Sequence, residues 1–147
     1  MRAVVQRVSR ASVTVADEVV GEIGAGLCVL VGVTHTDTEE LAIKLAERLW
    51  KLRIFSDEDD KMNLSVADIG GAVLIISQFT LYADAKKGNR PSYVDAARPD
   101  HAEPLIELVI EHLRSLGAEV ATGRFGADMK VDLLNDGPVT IPLELGQ

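Results

Sequence analysis

Leu27-Cys28-Val29-Leu30-Val31-Gly32-Val33 is apolar at every position except its glycine, and Ala72-Val73-Leu74-Ile75-Ile76 repeats that character. A strand with one wet face alternates apolar and polar side chains. A run without that alternation, bounded by turn residues, is covered on both faces. Gly24-Ala25-Gly26 and Gly70-Gly71 supply the turns that lead into the two runs. Each run is followed by a stretch of helical period, so the chain contains two βα units. Cys28, inside the first run, reads as a small core residue rather than a nucleophile.

Outward from these strands, Arg2 to Val15 mixes β-branched and polar residues as one strand or a bent pair. Asp17-Glu18 is a turn, and Val19 to Ile23 a short partner strand. Thr36 and Asp37 offer N-caps, with Glu39 and Glu40 at capping-box spacing, for a helix expected to reach about Phe55. Leu41, Leu45, Leu49 and Leu52 form its apolar stripe, while Lys44, Arg48 and Lys51 share the outer face. Asp57 to Asp60 is an acidic surface loop that lacks the glycine and distal glutamate of a calcium loop. The second buried strand runs on into Ser77-Gln78-Phe79-Thr80. Residues 82–99 have no period and hold a basic loop, Lys86-Lys87-Gly88-Asn89-Arg90-Pro91-Ser92. A second helix is expected from around His101 to Leu116, with Pro104 in its first turn and Gly117 as its stop. Leu105, Leu108, Val109 and Leu113 make its stripe.

The tail reads as three strands, Glu119 to Gly123, Asp128 to Leu134, and Val139 to Leu145. Asn135-Asp136-Gly137-Pro138 between the last two is a polar turn by composition. Pro138 has no N–H to give a ladder, which confines it to an edge, a bulge or a strand start. The order is two strands, two βα units and three strands in one domain over residues 1–147. That is an α/β fold with a mixed sheet and two main helices.

Fifteen basic against twenty-three acidic residues give a net charge of −8, which argues against a nonspecific polyanion binder. It leaves room for a local basic patch. One cysteine excludes an internal disulfide. With 47% apolar but only 4% aromatic residues, the core must be aliphatic. The opening Met1-Arg2-Ala3-Val4-Val5-Gln6-Arg7 lacks a signal-peptide run, and no stretch has transmembrane length, so a soluble cytoplasmic protein without membrane partners is expected.

The common catalytic signatures GxSxG, GxxxxGK[ST] and HExxH are missing, and His35, His101 and His112 are scattered. Neither a metal site nor a Ser-His-Asp triad is expected, and no cofactor. What remains is a cluster at a strand end: two hydroxyls (Ser77, Thr80), the Gln78 amide and backbone N–H groups leaving the sheet. Such groups can hold a carbonyl oxygen as an oxyanion hole, but no base stands near them in sequence. The alternative is that Ser77 and Thr80 only satisfy the end of the strand.

Ser77-Gln78-Phe79-Thr80-Leu81-Tyr82 and Asn135-Asp136-Gly137-Pro138-Val139-Thr140 together resemble the paired motifs of D-aminoacyl-tRNA deacylases. The resemblance extends to the opening residues, the Lys-Gly-Asn-Arg-Pro-Ser loop and Arg124-Phe125-Gly126-Ala127-Asp128-Met129. It implies a homodimer that hydrolyses the ester of D-aminoacyl-tRNA and of mischarged glycyl-tRNA at the acceptor end, with no DNA partner. It also implies that Gly137-Pro138 enters the other subunit's site through a cis peptide, with two carbonyls for the substrate ammonium and a wall against L side chains. The tRNA 2′-hydroxyl would assist hydrolysis. Ser77 and Gln78 would bind the adenosine and the scissile carbonyl, and Phe79 would shape the pocket. Thr80 would position substrate or, alternatively, attack it. Arg7 would hold the Gly-Pro loop, and Met129 would line the pocket. Lys44, Arg48, Lys51, Lys86, Lys87 and Arg90 would meet the tRNA backbone. Two rival readings are a noncatalytic dimeric module that holds an amine or nucleotide end, and a small-molecule hydrolase unconnected with RNA.

Overall fold

The computed structural model describes residues 1–146. Its spine is β1 (Arg2–Val15), a single long strand. Residues Arg2 to Val8 pair antiparallel with β3 (Gly26–Gly32), and Ala11 to Val15 with β2 (Glu18–Ile23). β3 continues the sheet through parallel pairing with β6 (Ala72–Ser77), and β6 through parallel pairing with β7 (Glu119–Thr122). β8 (Lys130–Glu144) runs antiparallel along the other edge of β1. The sheet is mixed, as the apolar runs require.

It also curls almost shut. β2 meets β7 so closely that a methyl on Gly21 would collide with the Thr122 carbonyl, so only glycine fits there. Val8, Ala11, Val13, Ile23, Cys28, Leu74 and Ile76 fill the curled interior. On the opposite face, Leu27, Val29, Val31, Val73 and Ile75 pack under α1 (Glu39–Lys51) and α2 (Pro99–Ser115). The two faces of β3 and β6 thus enter two cores, which is why neither run alternates.

Several boundaries differ from the sequence reading. Thr38, not Thr36 or Asp37, caps α1, its hydroxyl accepting the Leu41 N–H. Asp37 is instead buried, accepting from the Met1 ammonium at 2.7 Å and from the Thr34 N–H at 2.8 Å. α1 ends at Lys51, short of Phe55, because Leu52 is already extended (φ −63°, ψ 121°). Ile54 and Phe55 turn inward to the core, and Phe55 opens a small hairpin of β4 (Phe55–Ser56) and β5 (Met62–Leu64). The acidic loop is that hairpin's turn. The Asp57 carboxylate accepts from the Asn63 amide and from the N–H groups of Asp59 and Lys61, bonds that hold its pKa below the usual value, Asn63 contributing most.

β6 stops at Ser77, and Phe79–Tyr82 forms a 3-10 turn rather than more strand. α2 starts at Pro99, which puts Pro104 inside the helix and not in its first turn. The Ala118 N–H to the Leu113 carbonyl and the Gly117 N–H to the Arg114 carbonyl close its C-terminus, as a glycine stop should. Ile106 belongs to the buried stripe, and Leu108 is only half-buried. The tail holds two strands, not three, because β8 runs unbroken through Gly137-Pro138. Among the described residues no helix is long and apolar enough to cross a membrane.

Candidate active site at the end of β6

The parallel pair β3–β6 ends at the Gln78 N–H, which donates to the Val31 carbonyl at 2.8 Å. Beyond it the chain winds tightly, the Leu81 N–H reaching the Gln78 carbonyl and the Ala83 N–H the Thr80 carbonyl. This turn brings Ser77, Gln78, Phe79 and Thr80 to the mouth of one cavity of about 580 Å³. It is also lined by Ala102 and Ile106 of α2, by Tyr93, Ala96 and Ala97, and by Phe125 to Met129 between β7 and β8. Met129 is therefore in the wall. The Gln78 side-chain amide donates to the Thr80 hydroxyl oxygen. The histidines are engaged elsewhere: His35 with the Val94 carbonyl, His101 with the Asp37 carbonyl and His112 with Glu47. Among the described residues, no imidazole or carboxylate bonds Ser77 or Thr80.

The wall that carries Tyr93, Ala96 and Ala97 is an irregular loop tied to the end of β3. The Ala97 N–H donates to the Val33 carbonyl, the Thr34 hydroxyl to the Asp95 carbonyl, and His35 Nε2 to the Val94 carbonyl. An Asp84–Ser92 backbone pair closes the hairpin that precedes it.

Gly137-Pro138 sits in a wide bulge. Gln6 stands opposite Thr140 and Val8 opposite Asn135, so residues 136–139 face Arg7 alone. The polar turn read from composition is thus a bulge within one strand, at the sheet edge, two of the three sites open to Pro138. Asn135 spans it, its side-chain oxygen accepting the Val139 N–H and its amide donating to the Thr140 hydroxyl. Arg7 donates through Nε to the Asp136 carbonyl at 2.9 Å and through Nη1 to the Ile54 carbonyl at 2.8 Å. Val139 is buried and anchors the far side, whereas Gly137 and Pro138 are exposed. Their peptide bond is cis. Gly137 has φ +136°, and a methyl there would lie 2.7 Å from Val139 Cγ2. Neither Gly137 nor Pro138 nor Arg7 lines the cavity of its own chain.

The six expected RNA-contacting cations are all exposed, but they form two groups. Lys44, Arg48 and Lys51 follow α1, and Lys86, Lys87 and Arg90 sit on the hairpin closed by Asp84 and Ser92. Among the described residues none of the six takes part in an ion pair. Sequence reasoning missed Tyr93, Ala96, Ala97, Ala102, Ile106, Phe125 and Ala127. Most are small or lie in aperiodic loops. Two signals were available: Ala102 and Ile106 are four apart on a helix and continue its apolar face, and Phe125 and Ala127 lie in the Arg124–Met129 stretch that carries the resemblance.

A family model described as D-Tyr-tRNA(Tyr) deacylase matches residues 4–144. A D-aminoacyl-tRNA deacylase of Halalkalibacterium halodurans is 58% identical over 144 residues, which cover 98% of this chain and 99% of that protein. One of Idiomarina loihiensis is 56% identical over 145 residues, 99% of this chain and all of its own. Among solved structures, one described as c-Myc DNA Unwinding Element Binding Protein superposes with a TM-score of 0.94 at 42% identity, covering both chains fully. A probable eukaryotic D-amino acid tRNA deacylase superposes at 0.85 with 16% identity over 98% of each chain, a likeness of fold.

Proposed function

The chain belongs to the D-Tyr-tRNA(Tyr) deacylase family, hydrolases that act on aminoacyl-tRNA esters, and we propose that it removes D-amino acids and mischarged glycine from tRNA while refusing L-amino acids. The observation that carries this reading is a division of labour. The cavity at the end of β6 has groups that position, and its one carboxylate, Asp128, bonds neither Ser77 nor Thr80, while Gly137-Pro138 is held outward, away from that cavity. A motif fixed so firmly and used by no part of its own chain serves a second copy, so the working unit is a homodimer.

In that unit, Ser77 and Gln78 hold the terminal adenosine and the scissile carbonyl; the Gln78 N–H is spent on the Val31 carbonyl, so the oxyanion formed when water attacks takes its donors from the N–H groups that follow in the turn. Thr80 positions the ester: its oxygen already accepts from Gln78, and among the described residues no imidazole or carboxylate bonds it to make it a nucleophile. Assistance falls to the 2′-hydroxyl of the substrate. The Gly137 and Pro138 carbonyls of the second copy take the ammonium group. A D side chain points away from them, an L side chain meets their bulk, and glycine offers nothing to reject. The reaction belongs in the cytoplasm, with residues 1–147 acting as one catalytic domain.

The test is to incubate the protein with D-Tyr-tRNA, L-Tyr-tRNA and free D-Tyr ethyl ester. Release from the first alone is expected. Release from the ethyl ester at a comparable rate points to a small-molecule hydrolase, and release from none to a binding module.

A further inference from the structure

We propose that Phe79 and Tyr93 form a stacking platform for the base that precedes the terminal adenosine, with Lys86, Lys87 and Arg90 meeting its phosphate. The proposal rests on the deacylase reading above. This chain has only six aromatic residues. Phe79 and Tyr93 are its exposed ones, at 57% and 42%, and they touch each other edge to face, 5.2 Å between centroids at 68°. Rings that large normally earn their place in a core. Here they stand in solvent at the rim of the cavity.

Position identifies the occupant. Phe79 lies between Gln78 and Thr80, so an RNA end whose ester reaches Thr80 passes this rim. A cavity of about 580 Å³ is of the size that takes one compact ligand, the scale of an aminoacyl nucleoside. The next nucleotide must leave across the lip. An edge-to-face pair leaves most of both ring faces open, and every nucleobase has a π-face to lay against one. Tyr93 is pre-set for this, because Thr34, His35 and the Ala97 N–H hold its loop to β3. The cationic hairpin closes at Ser92, one residue before Tyr93, and its cations are free of ion pairs among the described residues. A flexible phosphodiester crossing from ring to hairpin meets positive charge at once.

The test compares kcat/KM for two D-tyrosyl esters, one of adenosine and one of the dinucleotide cytidylyl-adenosine. Their ratio is the readout, so a general loss of activity in a variant cancels. The unaltered protein is expected to favour the dinucleotide about 5- to 150-fold, the range of one stacked base. Tyr93→Phe keeps that preference. Tyr93→Leu, which retains apolar bulk without a flat ring, brings the ratio close to one. Equal rates on both esters in the unaltered protein overturn the platform and leave the deacylase reading intact. A ratio that Tyr93→Leu leaves unchanged, with a shift in oligomeric state, overturns it in favour of a protein interface. Cleavage of neither ester brings down the platform together with the reading it rests on.

Discussion

Thr80 shows how much one hydrogen bond decides. Its oxygen accepts from Gln78, and among the described residues no imidazole or carboxylate bonds it. Thr80→Ala therefore removes a positioning contact, and roughly a tenfold fall in deacylation is expected, the scale of one lost hydrogen bond. D-Tyr-tRNA ending in 2′-deoxyadenosine should resist the unaltered protein. Hydrolysis of that substrate, abolished by Thr80→Ala, would restore Thr80 as the nucleophile. Cys28 is the opposite case, a reactive residue type made inert. Burial pushes its thiol up to about 11, so at pH 8 only about one part in a thousand is thiolate, and that fraction sits inside the barrel. A thiol reagent at pH 8 should label the protein only after denaturation; rapid labelling of the native form would contradict its burial. The core role of Cys28 was legible in its neighbours. The Gln78–Thr80 bond was not, since it needs the 3-10 turn that the apolar pattern hid.

At the scale of elements, the decisive piece is the bulge in β8. That strands flank Gly137-Pro138 was plain in the sequence, from Asp128 to Leu134 and from Val139 to Leu145. That both halves were one strand was not, because continuity is set by pairing with β1, far away in the chain. The same limit applied to α1: its leucine spacing ran past Lys51, and only the burial of Ile54 and Phe55 reveals why the helix stops. Arg7 is the bulge's external support, so Arg7→Ala should cost about 1–3 kcal/mol of stability, from two lost charge-assisted bonds, of which the one to the Ile54 carbonyl is part-buried. It should also raise hydrolysis of L-Tyr-tRNA relative to D-Tyr-tRNA. Unchanged discrimination in a folded Arg7→Ala protein would detach Arg7 from the motif's function.

For the molecule as a whole, the fold class followed from two runs apolar on both faces, because only a sheet covered twice accommodates them. The near-closure of that sheet did not, since the approach of Gly21 to Thr122 joins residues with no local signature. Asp37 was likewise misread as a cap. It ties the start of β1 to the loop before α1, and removal of one partner of a buried ion pair leaves the other unpaired. Asp37→Ala is expected to cost about 3–5 kcal/mol, read as a large fall in Tm; a change within error would mean that the pair contributes nothing. A chain of net charge −8 needs its local cations to hold RNA, so tRNA affinity should fall as salt rises, and less steeply in a Lys86→Ala, Lys87→Ala, Arg90→Ala triple variant.

A Gly-Pro bulge that completes a neighbour's cavity can be separated from that cavity by mixing two variants. One copy carrying Ala127→Trp, which fills its cavity from a loop, can be mixed with another carrying Gly137→Val, which disables its bulge. Each variant alone should be inactive or unselective on D- and L-Tyr-tRNA. The mixed dimer should regain selective D-Tyr-tRNA hydrolysis, because the open cavity of the second copy receives the intact bulge of the first. If mixing restores nothing while mixed dimers form, the bulge acts within its own chain or not at all, which contradicts a site completed by a second copy.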